Sequence, residues 1–133
     1  MENQVIGQPV WLSPVLRGVI LIPACLLIYY HITMIYDVLA GRGLSANAIY
    51  NAVQLVLRLS IAASLAGVVF GAKAAIWTMW LSIASLVATH YVAHFGLVEA
   101  DFTADRHPLS YLKGFIIPSV ITAATFWRER LAA

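Results

Sequence analysis

The chain has 133 residues, is 62% hydrophobic and only 11% charged, and has a mean hydropathy of +0.85. A water-soluble domain carries about 25% charged residues, so this chain has too little polar surface to face water on every side, and its solvent is lipid. The net charge of +2 is small and no basic run is interleaved with aromatic residues, which excludes nucleic acid as a partner; the single Cys25 excludes an intrachain disulfide and a cysteine metal cluster.

The N-terminal stretch Met1 to Pro14 has no Lys or Arg, and the first basic residue is Arg17. A secretory signal needs a positive n-region, so none is expected. Ile22-Pro23-Ala24-Cys25 has the outline of a lipoprotein cleavage box. The apolar run from Arg17 to Cys25 is short for a signal, and it continues past Cys25, so a small buried thiol on a membrane helix is expected instead.

Four apolar spans follow, at about 16–39, 48–70, 74–98 and 111–127. The first three reach the ~20 residues a helix needs to cross a ~30 Å core, and the fourth is at the lower end of the range. Barrel strands would alternate over ~10 residues, which these runs do not. The expected fold is all-α, a polytopic four-transmembrane-helix bundle forming one domain over 1–133. Gly41-Arg42-Gly43 breaks the chain after the first span, and Ser45 or Asn47 is placed to cap the second. Gly71-Ala72-Lys73 is so short that the second and third helices are antiparallel neighbours. The longest and most polar loop runs from Gly96 to Ser110. Pro23 and Pro118 lie inside spans and predict kinks. Trp11, Trp77, Trp80, Tyr50 and Tyr111 lie near span ends and suit interfacial belts.

Four spans put both termini on one side. Arg17, Lys73, Arg128 and Arg130 share that side, against Arg42, Arg106 and Lys113 on the other. The small basic excess predicts cytoplasmic termini in a bacterial inner membrane.

Arg58 carries most of the functional information. It lies well inside the second span, where a charge costs roughly 2.5–3.5 kcal/mol on insertion scales and must face protein or water. Asn47, Asn51 and Gln54 precede it, and at about 100° per residue the four fall within an arc of roughly 60°. At ~1.5 Å per residue, His31 lies about 21 Å beyond Arg17, and Arg58 and His90 lie about 22 and 25 Å beyond Lys73. Three helices therefore bring polar side chains to one level, with His94 one turn further out. The expected ligand-binding set is Arg58, Gln54, Asn51, Asn47, His31 and His90. It would line a vestibule that opens outward, narrows at Arg58, and is closed below by Leu65 and Val69. A permanent cation in low dielectric favours a carboxylate, a lipid headgroup or a quinone oxygen.

Other readings stay open at this point. Haem b requires two imidazoles on different helices at matching depth, which His31 with His90 or His94 supplies, although Leu27, Met34 and Ile35 are bulky neighbours for a porphyrin. The polar stripe is alternatively a docking face for other membrane subunits or a second copy, with Asn51 and Gln54 as interhelical glue. His94, Glu99, Asp101, Asp105 and His107 fit no metal-ligand spacing, so no metal is expected. No nucleophile–base pattern or phosphate-binding glycine loop appears, and an accessory or ligand-binding protein is expected rather than an enzyme. On the third span, Thr78, Ser82, Ser85 and Thr89 form a small-hydroxyl stripe suited to helix packing, with Trp77, Trp80 and Tyr91 turned to lipid. Ser119, Thr122 and Thr125 form a weaker stripe of the same kind.

Two stretches resemble a family of small four-helix bacterial inner-membrane proteins of unknown function. That family opens on Gly-x-Gly-Gly-Trp-Leu, of which Gly7-Gln8-Pro9-Val10-Trp11-Leu12 keeps the first Gly and the Trp-Leu. The closing Phe126-Trp127-Arg128-Glu129-Arg130 is similar to the family's short basic tail. The resemblance implies the bundle and its location, and no activity. Separately, His90, Phe95-Gly96, Glu99 and Phe102 look like the third helix and exit of succinate dehydrogenase anchor subunits. Those usually have three spans, and the likeness implies a haem or quinone.

Overall fold

The computed structural model describes residues 11–132; Gly7 to Val10 lie outside them. Four α-helices are present: α1 Leu12–Leu39, α2 Ala48–Val69, α3 Ala74–His94 and α4 Ile116–Ala132. A 3-10 turn, Asp101–Thr103, and a longer 3-10 segment, Pro108–Phe115, lie between α3 and α4. No strand occurs among the described residues, beyond a single bridge between Ser45 and Ala100. With the 3-10 segment counted into the last span, all four helices are long and apolar enough to cross a membrane. The outward faces agree with that solvent. Ile22, Leu26 and Tyr29 on α1, Val56 on α2, Trp77 and Leu81 on α3, and Trp127 on α4 are all exposed. The chain is an all-α, multi-pass membrane bundle.

The first three helices end in the same way. Gly41, Gly71 and Gly96 follow the C-caps with φ of 79°, 86° and 78°. In each case the glycine N–H and the next N–H reach back to the last turn. Gly41 N donates to Val38 O at 3.2 Å and Arg42 N to Asp37 O at 2.8 Å, and the same pair recurs at Gly71/Ala72 and Gly96/Leu97. This is a Schellman end, where a left-handed residue satisfies carbonyls that the helix leaves open. It stops α3 at His94 rather than near Val98 as the hydropathy suggested. At the other end, α1 begins at Leu12 rather than Leu16, and Asn47 caps α2 by accepting from Tyr50 N at 3.0 Å.

The packing forms a ring. α2 lies between α1 and α3, α1 packs on α4, and the 3-10 segment fills the space between α3 and α4, which touch little directly. The α2–α3 hairpin is tight: a Cβ on Gly67 would lie 2.8 Å from Ala75 Cβ. Small residues there let the two backbones approach. The half of the bundle nearer the termini is filled by aliphatic side chains, with Ile61, Leu65, Met79 and Ile121 fully buried. At the opposite end, Ser45 Oγ donates to Glu99 O and ties the first loop to the third.

Several expectations change. Pro118 falls in the first turn of α4, where its missing N–H costs nothing. The fourth span therefore switches from 3-10 to α just before it, and the expectation of a Pro118 inside a continuous helix is replaced. Cys25 is exposed on the outside of α1, not buried. Tyr50 and Tyr111 are buried rather than interfacial. Trp80 also turns inward: its Nε1 donates to Thr122 Oγ1 at 2.8 Å, and its ring stacks on Phe115 at 6.0 Å. Tyr91 packs edge-on against Tyr111 at 5.2 Å. Trp77 does face outward. Of the α3 stripe, Ser82 shares a 2.6 Å hydrogen bond with Ser60 of α2, and Thr89 meets Gln54. Thr78 and Ser85 bond only their own helix carbonyls, as does Thr125 on α4, while Ser119 bonds Phe115 O at the end of the 3-10 segment.

Candidate functional site

Arg58 sits in the middle of α2 and is 1% exposed, so the helices of this chain shelter it completely. Gln54, one turn earlier, is buried equally. Their spacing on α2 aligns them, and Arg58 Nη2 donates to Gln54 Oε1 at 3.4 Å. Gln54 Nε2 in turn donates to Thr89 Oγ1 of α3, whose hydroxyl donates to Leu86 O at 2.6 Å. From α1, buried His31 places Nδ1 3.1 Å from Arg58 Nη1. A guanidinium has donors only. His31 Nδ1 must therefore accept, which puts its ring proton on Nε2. The Tyr30 ring lies 5.7 Å from the guanidinium carbon, within cation–π range. A continuous polar chain thus crosses three helices, from His31 through Arg58 and Gln54 to Thr89.

The chain leaves donors over. Arg58 Nε is buried and has no hydrogen-bond partner among the described residues; His90 Nε2 and Ser110 Oγ share that condition. All three residues line one pocket of about 270 Å³ between α1, α2, α3 and the 3-10 segment. Arg106 and Lys113 line it too, along with His31, Tyr30 and Tyr111. No carboxylate among the described residues lines it, and the two ion pairs among those residues, Arg42–Asp37 at 2.8 Å and Lys73–Glu129 at 3.9 Å, lie elsewhere. Below Arg58, Ile61 and Leu65 belong to the buried aliphatic core, with Val69 packed against it.

The pocket is lined differently from the expected set. Arg58, His31 and His90 come together in it. Gln54 stands behind Arg58 and orients it without lining the pocket. Asn47, the N-cap of α2, and Asn51, in its first turn, serve the first loop rather than the pocket. Asn47 is exposed and caps α2, while Asn51 holds the first loop by donating to Ser45 O at 2.7 Å and accepting from Ser45 N at 3.3 Å. The physical reason is depth: an arc fixes the face of a helix, and Asn47 and Asn51 share the face but lie at its mouth. His94 hydrogen-bonds Tyr111 Oη at 2.9 Å and stands outside the pocket.

Arg106, Ser110, Tyr111 and Lys113 are the residues that sequence reasoning missed. Pro108 starts the 3-10 segment, and His107 Nδ1 accepts from Leu109 N at 3.2 Å to cap it. In a 3-10 helix, residues three apart eclipse, so Ser110 and Lys113 stack on one edge. Gly114 allows the segment close to α3, since a Cβ there would lie 3.2 Å from Val87 Cγ2. The signal was present in the sequence as a lone Lys113 inside an apolar run, three residues after a serine.

The cavity lies just under the ~300–1,000 Å³ typical of drug-sized ligands. Together with Arg58 already holding His31 Nδ1, this suits a small anion or one head group better than a porphyrin. Among the described residues, no three His, Cys, Asp or Glu side chains are placed to share a metal ion. No protein-family model matches the chain, and no curated protein or solved structure matches it.

Proposed function

We propose that this is a bacterial inner-membrane protein with cytoplasmic termini that binds a small anionic ligand in the outer-leaflet pocket around Arg58. It acts as a ligand-binding or accessory subunit rather than an enzyme. The observation that carries this reading is that Arg58, His90 and Ser110, each with a buried polar atom lacking a hydrogen-bond partner, line one pocket with two further cations and no carboxylate. A buried charge without a counter-ion is costly, and an anion with several acceptor atoms offsets that cost. Because Gln54 and Arg58 are covered by the chain's own helices, the reading favours a ligand over a docking face.

The test is the thermal midpoint of the purified protein in mild non-ionic detergent, with chloride exchanged for acetate, sulfate or phosphate at constant ionic strength. Ligand at about 100 times its Kd stabilises by about 2.7 kcal/mol. At least one oxyanion should raise the midpoint, and Arg58→Leu should keep the helical signal and lose the response. No shift with any oxyanion, or an equal shift in Arg58→Leu, rejects the reading. The placement of His31 and His90 on one pocket favours a second reading, haem b or a quinone. A Soret band after expression with supplied haem, removed by His31→Leu, would replace the anion.

A further inference from the structure

We infer that the anion is a phosphate group, reaching the pocket sideways between α1 and the 3-10 segment; this rests on the anion reading above. The first argument concerns the guanidinium. Arg recognises a carboxylate best with two parallel N–H groups. Here Nη1 is committed to His31 and Nη2 to Gln54, and the unpartnered donor is Nε. With two of its five N–H groups used within the protein, the guanidinium alone does not supply all the donors and charge that a multivalent oxyanion takes up. The remaining donors come from other elements: Ser110 Oγ and Lys113 from the 3-10 segment, and Arg106 from the loop before it. Basic and hydroxyl side chains from three stretches of chain line this one pocket, a set that the three or four oxygens of a tetrahedral oxyanion can share. Three cations with no carboxylate in the lining match its charge.

The second argument concerns access. α1 packs on α2 and α4, and among the described residues its backbone closely approaches neither α3 nor the 3-10 segment. The pocket nevertheless has Leu27 and Tyr30 of α1 on one side and Ser110 and Lys113 on the other. A slit therefore runs between them on the outer half of the bundle. Tyr30 is 49% exposed and lies at that slit, with exposed Lys113 and Arg106 at its outer end. A basic rim above an apolar slit accepts a phosphate that carries acyl chains as well as a free one.

The experiment uses the full chain in lipid-free non-ionic detergent. Its arms are inorganic phosphate, sodium acetate, phosphatidylglycerol in mixed micelles, and a diacylglycerol with the same acyl chains but no phosphate. The readout is the concentration giving half the maximal midpoint shift, at constant ionic strength. Phosphate or phosphatidylglycerol should shift the midpoint, with acetate and diacylglycerol ineffective. Lys113→Gln and Arg106→Gln, both at exposed positions, should each raise the half-saturating concentration about tenfold, the worth of one charge-assisted hydrogen bond. A response to inorganic phosphate identifies a soluble phosphate as sufficient. A response to phosphatidylglycerol alone identifies the lipid as the source. Acetate matching phosphate, or both Gln variants binding like the parent, overturns the phosphate assignment while leaving an anion site. Silence in every arm removes the anion site itself.

Discussion

Replacing His31 by Leu isolates the energetics of the buried cation. In the parent, Arg58 Nη1 donates to His31 Nδ1 at 3.1 Å inside a region that excludes water. A hydrogen bond to a charged group contributes about 1.5–3 kcal/mol, and leaving the charge uncompensated costs more than losing a neutral bond. Nε already lacks a partner, so His31→Leu leaves a second nitrogen of the same guanidinium without one. The expected loss is about 2–3 kcal/mol. Arg58→Leu behaves differently: it orphans two neutral acceptors, but it also removes a buried charge, and exchanging buried ions for apolar groups is often neutral or stabilising by about 1–4 kcal/mol. Its net effect should lie near zero. The double variant removes donor and acceptor together, so it should recover most of the stability lost in His31→Leu. A double-mutant cycle should then give a coupling of about 2 kcal/mol, above the ~0.6 kcal/mol average for hydrogen bonds between membrane helices. SDS titration followed by far-UV circular dichroism measures all four proteins. Single-variant costs that simply add within about 0.5 kcal/mol would show that the two side chains do not interact as described.

Three further outcomes test separate parts of the bundle. Trp80→Phe keeps the ring stack on Phe115 and loses the bond to Thr122, so SDS titration should show a loss of about 1 kcal/mol; no loss would mean the indole is not held there. Gly43→Val should push Asn51 off Ser45, because even a Cβ at that position would sit 2.6 Å from Asn51 Nδ2, and amide exchange across 43–46 should quicken while α3 stays protected. In a bilayer, Cys25 should react with an apolar maleimide and resist a charged methanethiosulfonate, since its thiol points outward along α1; labelling by the charged reagent would place that face in water.

The bundle was readable in the sequence because hydropathy and length speak directly to a lipid solvent. The same holds for Arg58: a charge well inside an apolar span has to be sheltered, and three-helix depth matching brought His31 and His90 to it. Hydropathy does not reveal rotation about a helix axis, and that is where the expectations changed. Trp80 and Cys25 exchanged sides because an indole with an N–H seeks a hydrogen-bond partner, which Thr122 provides, while Cys25 has no such need. Asn51 lies on the expected face and outward of Arg58, but its amide is taken up by Ser45 of the first loop rather than by the pocket. Arg106 and Lys113 were counted only as basic residues of the outer side, since nothing in the local pattern announces that an eight-residue 3-10 segment brings Lys113, and the loop before it Arg106, to the pocket.

That 3-10 winding has a mechanical meaning. Runs beyond three or four residues are uncommon, and this one extends over eight, from Pro108 to Phe115. Tightening the coil lengthens it: rewinding those residues as α-helix would shorten the segment by about 4 Å. It would also turn Lys113 about 60° away from Ser110, since successive residues advance by about 120° in one coil and 100° in the other. The pitch of this stretch therefore sets both the reach of the last span and the bearing of its lysine, and Pro118 bars the ordinary helix from spreading back into it.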